Sequence, residues 1–411
     1  MPDIVISNIA DNCKAVVDTV CMPHQSLISL NSVIGKPGGG VRTVSMTPMI
    51  TSRMINSVST SVKTWEAHIS SRCKYDTAKK GSNALDAALA RNLLSEVAFW
   101  LKKAFGAAFN DYHKFFDTID INILLEQALY SEYPVTSLCL AVQQHLAPRV
   151  IQVSGFTSTP VNITHSILAG CQQSVPLTRA LLNKNMSKLA DDHPKAPPNV
   201  FVDDTAMACS FPRWSSVHNA LASCLIQFAK CVKSLNLALS PKAVLSVSHF
   251  KLGFSLQKEL EEHGIFFNIA GKQGARDLGI SHTAGTSRPA TITVNRKQKI
   301  IQRKFRINQI AKISRRAKIL YTGSAFPAEC WGHQVSGLSP SHVVAIERDA
   351  MRCTGIGTGY CRTIALRVFY GPYTTPYARI IKELVIAWFR VYKLNMCEIP
   401  VNHISKAWHI A

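Results

Sequence analysis

Two aspartates stand side by side, Asp203-Asp204, behind a short apolar run that ends in Phe201-Val202. Aspartate is a favoured turn residue, so the pair alone means little. The chain carries its own control, Asp191-Asp192, which sits among His, Pro and Lys with no apolar strand before it. Asp203-Asp204 differs because its strand places it at the end of a buried element. Adjacent carboxylates there repel, and are tolerated when a divalent cation compensates them. A third carboxylate, Asp111, ends another short apolar strand, Ala107–Asn110. Carboxylates gathered in this way suit nucleotidyl transfer, in which two Mg2+ ions about 4 Å apart activate a hydroxyl and stabilise departing pyrophosphate.

Other stretches carry chemistry suited to phosphate. Lys36-Pro37-Gly38-Gly39-Gly40-Val41-Arg42 combines Gly-rich backbone with two cations, a phosphate-binding combination that, taken alone, reads equally as an ordinary turn. Lys242, in the segment LALSPK, is by residue type alone a solvated side chain. The run from Arg296 to Lys318 holds ten basic residues and no acid, among them Arg303, Lys304, Arg306, Lys312, Arg315 and Arg316. It fits a polyanion, and as a bare charge run it also fits a solvated helix face.

The elements that must position these groups follow from periodicity. Short strands are expected around the Gly-rich turn within residues 24–46, and mostly helix from 47 to about 106. Ser82 is expected to cap a helix written ALDAALARNLLSEVAFWLKKAF, whose apolar residues recur three and four apart. After the strand that ends at Asp111, helices are expected at about 120–131 and 135–146, then a strand near 149–156. A loop running into a helix covers 170–190. Asn199–Val202 and Thr205–Cys209 read as a β-hairpin that presents Asp203-Asp204 at its turn. A long helix covers about 215–236, short strands flank Lys242 and Leu278, and helix dominates from 296 onward.

Composition narrows the class. With 46 Lys+Arg against 25 Asp+Glu the net charge is +21, an excess that favours a polyanionic partner through counterion release. Hydrophobic residues make up 47% of the 411, enough for a sizeable core and for two to three structural units. The twelve cysteines form no CxxC pair, which speaks against a zinc knuckle or a disulfide scaffold and for small buried hydrophobes. No signal peptide and no membrane span is expected, so the reading is an intracellular protein of nucleus or cytoplasm.

Taken together, the motifs resemble a known family. Asp111-Tyr-His-Lys-Phe-Phe116-Asp117 resembles the D-x-x-K-A-F-D signature that opens the palm of reverse transcriptases, and Phe201-Val202-Asp203-Asp204 resembles the [YF]-x-D-D turn that completes it. Between them, Gly170 to Thr178 resembles G-x-x-Q-G-x-P-L-S, which contacts the templating pair and incoming nucleotide. Lys36 to Val44 resembles K-x-x-G-x-x-R-P-I, Leu237–Lys242 resembles the G-L-x-L-N-x-x-K segment, and Asp277-Leu278-Gly279 resembles the Y-L-G hairpin that grips the primer. The stretch AFPAECWGHQVSGLS resembles the region after the palm in non-LTR retrotransposons.

The resemblance covers about residues 24–340 and implies an α/β (α+β) right-hand polymerase with an antiparallel-sheet palm. Residues 1–23 would be an N-terminal segment, 24–106 fingers, 107–285 palm and 286–411 a basic helical thumb and C-terminal region. It implies RNA-directed DNA synthesis on an RNA template and DNA primer from deoxynucleoside triphosphates. Mg2+ would be held by Asp111, Asp203 and Asp204, with Mn2+ able to substitute. Lys242 would protonate the leaving pyrophosphate, Gln173 would contact the nucleotide, and Lys36 and Arg42 its phosphates. Phe116 would sit under the sugar and exclude a 2′-hydroxyl, which speaks against an RNA-making polymerase. The basic run would follow the template–primer phosphates. Three departures stand out: Ser174 where the family has Gly, Thr43 where it has Pro, and Arg179 where Pro is usual. No endonuclease or RNase H pattern is present, which implies a separate endonuclease domain or protein. The alternative is a catalytically inactive, nucleic-acid-binding remnant of such a polymerase.

Overall fold

The computed structural model describes residues 3–35, 40–271, 274–287, 289, 291–356, 361–393 and 399–410. The helix expected after Ser82 runs from Ala84 to Trp100, and its cap is Asn83. Asn83 Oδ1 accepts from the Asp86 N–H at 2.9 Å, and Asp86 Oδ2 accepts from the Asn83 N–H at 3.2 Å. That reciprocal box satisfies backbone donors that a helix start leaves without partners. Ser82 stands one residue too early to make either bond.

By compactness the chain divides into two interleaved units. One comprises Met1–Asp76, Asn110–Thr205 and Ser223–Lys242, and the other Thr77–Phe109, Ala206–Ala222 and Ala243–Ala411. This partition differs from the consecutive spans that the sequence suggests.

The first unit holds a sheet built from β1 (Ser29–Gly35) and β2 (Val41–Met46); the Gly-rich residues 36–39 between them lie outside the described residues. Strands β1 and β2 pair antiparallel, with Ile34 opposite Arg42 and Leu30 opposite Met46. The next strand in the chain, β3 (Ala104–Asn110), begins in the second unit and reaches the first at Asn110. Strand β4 (Arg149–Val153) lies parallel to β1, and β5 (Phe156–Thr157) turns back on β4, giving the order β2-β1-β4-β5. Helices Asp3–Thr19, Met49–Ser57 and Val135–Leu146 meet in a core of Val16, Met22, Met54, Ile55 and Leu140.

The chain then forms β6 (Pro198–Phe201) and β7 (Asp204–Phe211), the expected hairpin. With β8 (Val244–Val247) and β9 (Asn268–Ile269) they complete a five-stranded sheet of order β6-β7-β3-β8-β9. The sheet is mixed rather than purely antiparallel. Strand β3 runs antiparallel to β8, but β8 and β9 are parallel. The helix Phe250–Glu262 between them supplies the crossover that a parallel pair needs.

Strand β3 is buried along its whole length and rich in small residues, AFGAAFN. Gly106 shows why: a Cβ there would lie 2.6 Å from Leu221 Cδ1 and 2.8 Å from Val217 Cγ1 of the helix Trp214–Ser234. The second unit also carries the hairpin β10 (Ala275–Asp277) and β11 (Ile280–His282), held by Arg91. The Arg91 guanidinium grips Asp277 with two buried bonds of 2.7 and 2.8 Å. From Thr291 onward the unit is helical, around a core that includes Ile307, Tyr321, Phe326 and Ile346.

Among the described residues no cysteine is paired; Cys73, Cys209, Cys224, Cys330 and Cys353 are buried as small hydrophobes. No described helix is long and apolar enough to cross a membrane.

Candidate functional site

The residues on either side of Asp111 decide where its carboxylate goes. Asn110 Nδ2 donates to the Thr205 carbonyl at 3.3 Å, and the Tyr112 hydroxyl meets Thr205 Oγ1 at 3.4 Å. Thr205 directly follows Asp203-Asp204. The end of β3 and the start of β7 are thereby fastened from both flanks of Asp111. Tyr112 is buried between Phe115 and Phe228, with ring centroids 4.9 and 6.2 Å away. Burial pushes its hydroxyl well above the usual phenol range, so it stays protonated and available to bond.

Asp111 and Asp203 are each half-buried, while Asp204 is exposed at the first position of β7. Burial raises the Asp203 pKa above the ordinary carboxylate value, and the Asp111 charge raises it further, against a backbone N–H that pulls it down. The two carboxylates therefore feel one another. Val202, in the turn just before them, has φ +61°. A branched residue in the left-handed region is strained by about 1–3 kcal/mol and persists where its surroundings hold it.

The segment expected to carry the proton donor is joined to the same place. The Asp111 carbonyl accepts from Ser240 N–H at 2.7 Å, and His113 N–H donates to the Ala238 carbonyl at 2.8 Å. Tyr112 and Leu239 form an antiparallel bridge. Lys242, two residues beyond Ser240, is exposed.

The donor set can be weighed against a divalent cation. Asp111 and Asp203 offer hard oxygen ligands, close enough to repel and partly withdrawn from water, which suits Mg2+ or Mn2+. Among the described residues no group of three or more His, Cys, Asp and Glu is gathered for a metal, so Asp204 does not complete a cage with the other two.

Gln173 is placed differently from expectation. It is 3% exposed, and its side-chain carbonyl accepts from the Tyr133 hydroxyl at 2.5 Å. Ser174 is the first residue of the helix Ser174–Asp192, in helical backbone. The left-handed residue of this loop is Gly170, at φ +91°. Positive-φ strain at Ser174 is thus excluded; its hydroxyl turns inward and donates to the Leu168 carbonyl at 2.5 Å. Arg179 is buried, with Nε 2.6 Å from Asp76 Oδ2 and a second bond to Glu66. Asp76 bridges Val200 of β6, and Val200 N–H donates to the Tyr75 carbonyl at 2.8 Å. Arg179 therefore ties this helix to the strand that leads into Asp203. Phe116 is half-buried, edge-on to Phe115 with centroids 5.3 Å apart.

Lys36 lies outside the described residues, and Arg42 is placed only by its backbone position in β2. In the second unit, Arg303, Arg306, Lys312, Arg315 and Arg316 are exposed. Lys304 departs from expectation: its ammonium lies 2.6 Å from Glu329 and 2.5 Å from Asp349. Burial alone would lower its pKa, but the hydrogen bonds and charges of those two carboxylates raise it. Arg296 is likewise engaged, donating to the carbonyls of Trp331 and Gly279 at 2.6 Å each.

The residues that sequence reasoning misses are Asn110, Tyr112 and Thr205. A polar Asn closing an apolar strand is a usable signal; the Thr205 hydroxyl offers none.

No protein-family model matches the chain, and no curated protein matches it. Two solved structures similar to it are of apo telomerase from Candida tropicalis. One is matched with 9% identity over 99% of this chain and 74% of that one, at a TM-score of 0.48. The other, truncated from its C-terminal domain, is matched with 11% identity over 56% of this chain, at a TM-score of 0.41. The chain spans 52%, about half, of the length of that truncated telomerase. Both are likenesses of outline, and residue roles do not transfer across them.

Proposed function

We propose that this chain is an RNA-directed DNA polymerase of the non-LTR retroelement type, with Asp111 and Asp203 at its reaction centre. The observation that carries the reading is the fastening of Asn110 and Tyr112 to Thr205. It gathers two motifs that are far apart in sequence into one electrostatically coupled pair. In this reading residues 24–106 serve as fingers, 107–285 as palm and 286–411 as thumb.

Asp111 and Asp203 would hold Mg2+, which when bound would supply positive charge for activating the primer 3′-hydroxyl and neutralising the pyrophosphate; Asp204, exposed beside them, stands outside that pair. Thr205, through Asn110 and Tyr112, fixes the spacing of the first two carboxylates. Lys242 Nζ gives its proton to the leaving pyrophosphate. Phe116 excludes a 2′-hydroxyl by bulk, a discrimination built on a clash. Arg303, Arg306, Lys312, Arg315 and Arg316 contact template–primer phosphates, and Lys304 does not, being held by Glu329 and Asp349.

A second reading, a non-catalytic nucleic-acid-binding remnant, is favoured by two observations. Gln173 is turned onto Tyr133, and the three carboxylates do not form a gathered metal group. Extension of oligo(dT) on poly(rA) with Mg2+ and with Mn2+ separates the two. Deoxynucleotide addition that Asp203→Asn removes supports the polymerase. Template binding without extension under either ion supports the remnant.

A further inference from the structure

We propose that the groove between the helices Arg362–Tyr370 and Pro376–Lys393 docks an amphipathic helix of a partner protein, its apolar face flanked by Asp or Glu. The helix Pro376–Lys393 is amphipathic, with Arg379, Lys382, Glu383, Arg390 and Lys393 on one side and an apolar arc wider than its buried face. Ile380, Ala387 and Val391 are buried inward. Outward, Tyr377, Ile381, Val385, Phe389 and Tyr392 are each 45–62% exposed, spaced four, four, four and three apart. They form one stripe along about 24 Å of helix. A contiguous exposed apolar patch of this kind marks an interaction surface. The stripe opens into a groove of about 480 Å³, where Leu366, Pro372, Tyr377, Ala378 and Ile381 supply apolar wall. That is the shape in which a partner helix seats residues at i, i+3, i+4 and i+7.

Charge selects the occupant. The cations of the groove lining are Arg367 and Lys382, and Lys393 stands exposed at the end of the stripe. Glu347, the acid in the lining, is ion-paired with Arg362 at 3.5 Å. Glu383 faces Arg379 at 3.4 Å and Gln334 at 3.3 Å. Among the described residues the charge left unpaired around the groove is therefore positive, and an acidic flank on the partner complements it. A second copy is a poorer fit, because two stripes face to face would oppose lysine to lysine in a chain of net charge +21. Nucleic acid is also a poorer fit, because Ile381 and Val385 at the centre of the stripe offer no ring for a base to stack on.

The test uses the full chain and two labelled 18-residue helical peptides read by fluorescence anisotropy. Both carry Leu at i, i+3, i+4 and i+7; one is flanked by Glu and the other by Lys. The expected result is binding of the Glu peptide at least about tenfold tighter than the Lys peptide. Ile381→Glu should weaken it by a further tenfold or more. Val385→Asp should do the same, and both substitutions are exposed, so circular dichroism should be unchanged. Equal binding of the two peptides, or binding indifferent to both substitutions, overturns the proposal. So does concentration-dependent dimerisation that Ile381→Glu abolishes, or displacement of the Glu peptide by oligo(dT).

Discussion

Asp191-Asp192 and Asp203-Asp204 are the same dipeptide twelve positions apart, and their fates differ. The first pair ends the helix Ser174–Asp192, fully exposed, with Asp192 Oδ2 accepting from Gln227 Nε2 at 2.6 Å. The second sits at a hairpin with a strained Val202, half of it withdrawn from water and coupled to Asp111. Water screens the first pair, so its charges cost little. The repulsion between Asp203 and Asp111 is not screened away, and proteins keep such an arrangement when something positive uses it. Composition does not distinguish the two; the strand before the pair does. A similar contrast recurs in the other unit, where Arg303 is exposed and its neighbour Lys304 is held between two carboxylates.

The largest effect expected is on that first contrast. Asp203→Asn should abolish primer extension, by several decades in rate, because a ligand charge is removed at the reacting centre. Asp192→Asn should leave the rate within about twofold. Equal activity of the two variants would remove Asp203 from the site. The next effect is on Lys304. Lys304→Gln leaves buried Glu329 with only His342, at 3.4 Å, and should cost about 3 kcal/mol of stability, with no change in the salt dependence of duplex binding. Replacing Arg303 and Arg306 with Gln should do the reverse. Stability should hold, and the slope of log affinity against log salt should flatten by about 0.9 for each phosphate no longer neutralised. Identical behaviour of the two substitutions in both assays would erase the distinction. A smaller effect is expected at Thr205, where Thr205→Val keeps the shape but removes the hydroxyl that Tyr112 meets. A slight shift of the carboxylates should slow extension about tenfold and raise the Mg2+ needed for half-maximal rate. A lower Tm with an unchanged Mg2+ requirement would make Thr205 only a packing residue.

Much of this architecture is legible in the sequence because local signals agree. Alternating apolar residues and a polar turn mark the β6–β7 hairpin, and three–four spacing marks the helix Ala84–Trp100. The helix Asp3–Thr19 has no such mark, since its start carries no Ser, Thr or Asn followed by Glu or Gln. The parallel pairing of β8 with β9 is not legible, since a crossover helix looks the same whichever way its second strand runs. Motif alone points Gln173 at the nucleotide; that Tyr133, forty residues earlier in the chain, meets it depends on tertiary packing. Arg179 looks like damage to a motif, whereas Glu66 and Asp76 make it a tie. In each case the missing information is the partner, which lies far off in sequence.

The smallest effect sharpens the comparison without any assay of activity. The Asp203 carboxyl is raised above its ordinary value of 3.8, first by burial and then by Asp111. A carboxyl with a raised folded-state pKa binds its proton more tightly when folded. Folded protein therefore loses stability as pH rises from the ordinary value through the raised one, and carries the full penalty above it. Asp203→Asn should relieve that penalty, raising Tm by a few degrees at pH 7 and by nothing at pH 3. Asp192→Asn, in an exposed pair with a hydrogen bond to lose, should give no gain at either pH. Two buried histidines run the other way: burial draws His145 down to about 3 and His282 to about 4. Their neutral forms stabilise the fold above about pH 6.5, and that support fades as pH falls through those values. Wild type and both variants share this acid lability, so the difference between melting curves isolates Asp203. Added Mg2+ should raise the Tm of wild type and of Asp192→Asn, and leave Asp203→Asn unmoved. A Tm for Asp203→Asn at or below wild type at pH 7 would mean that no carboxylate repulsion is stored there, and with it the case for a cation between Asp111 and Asp203 would fall.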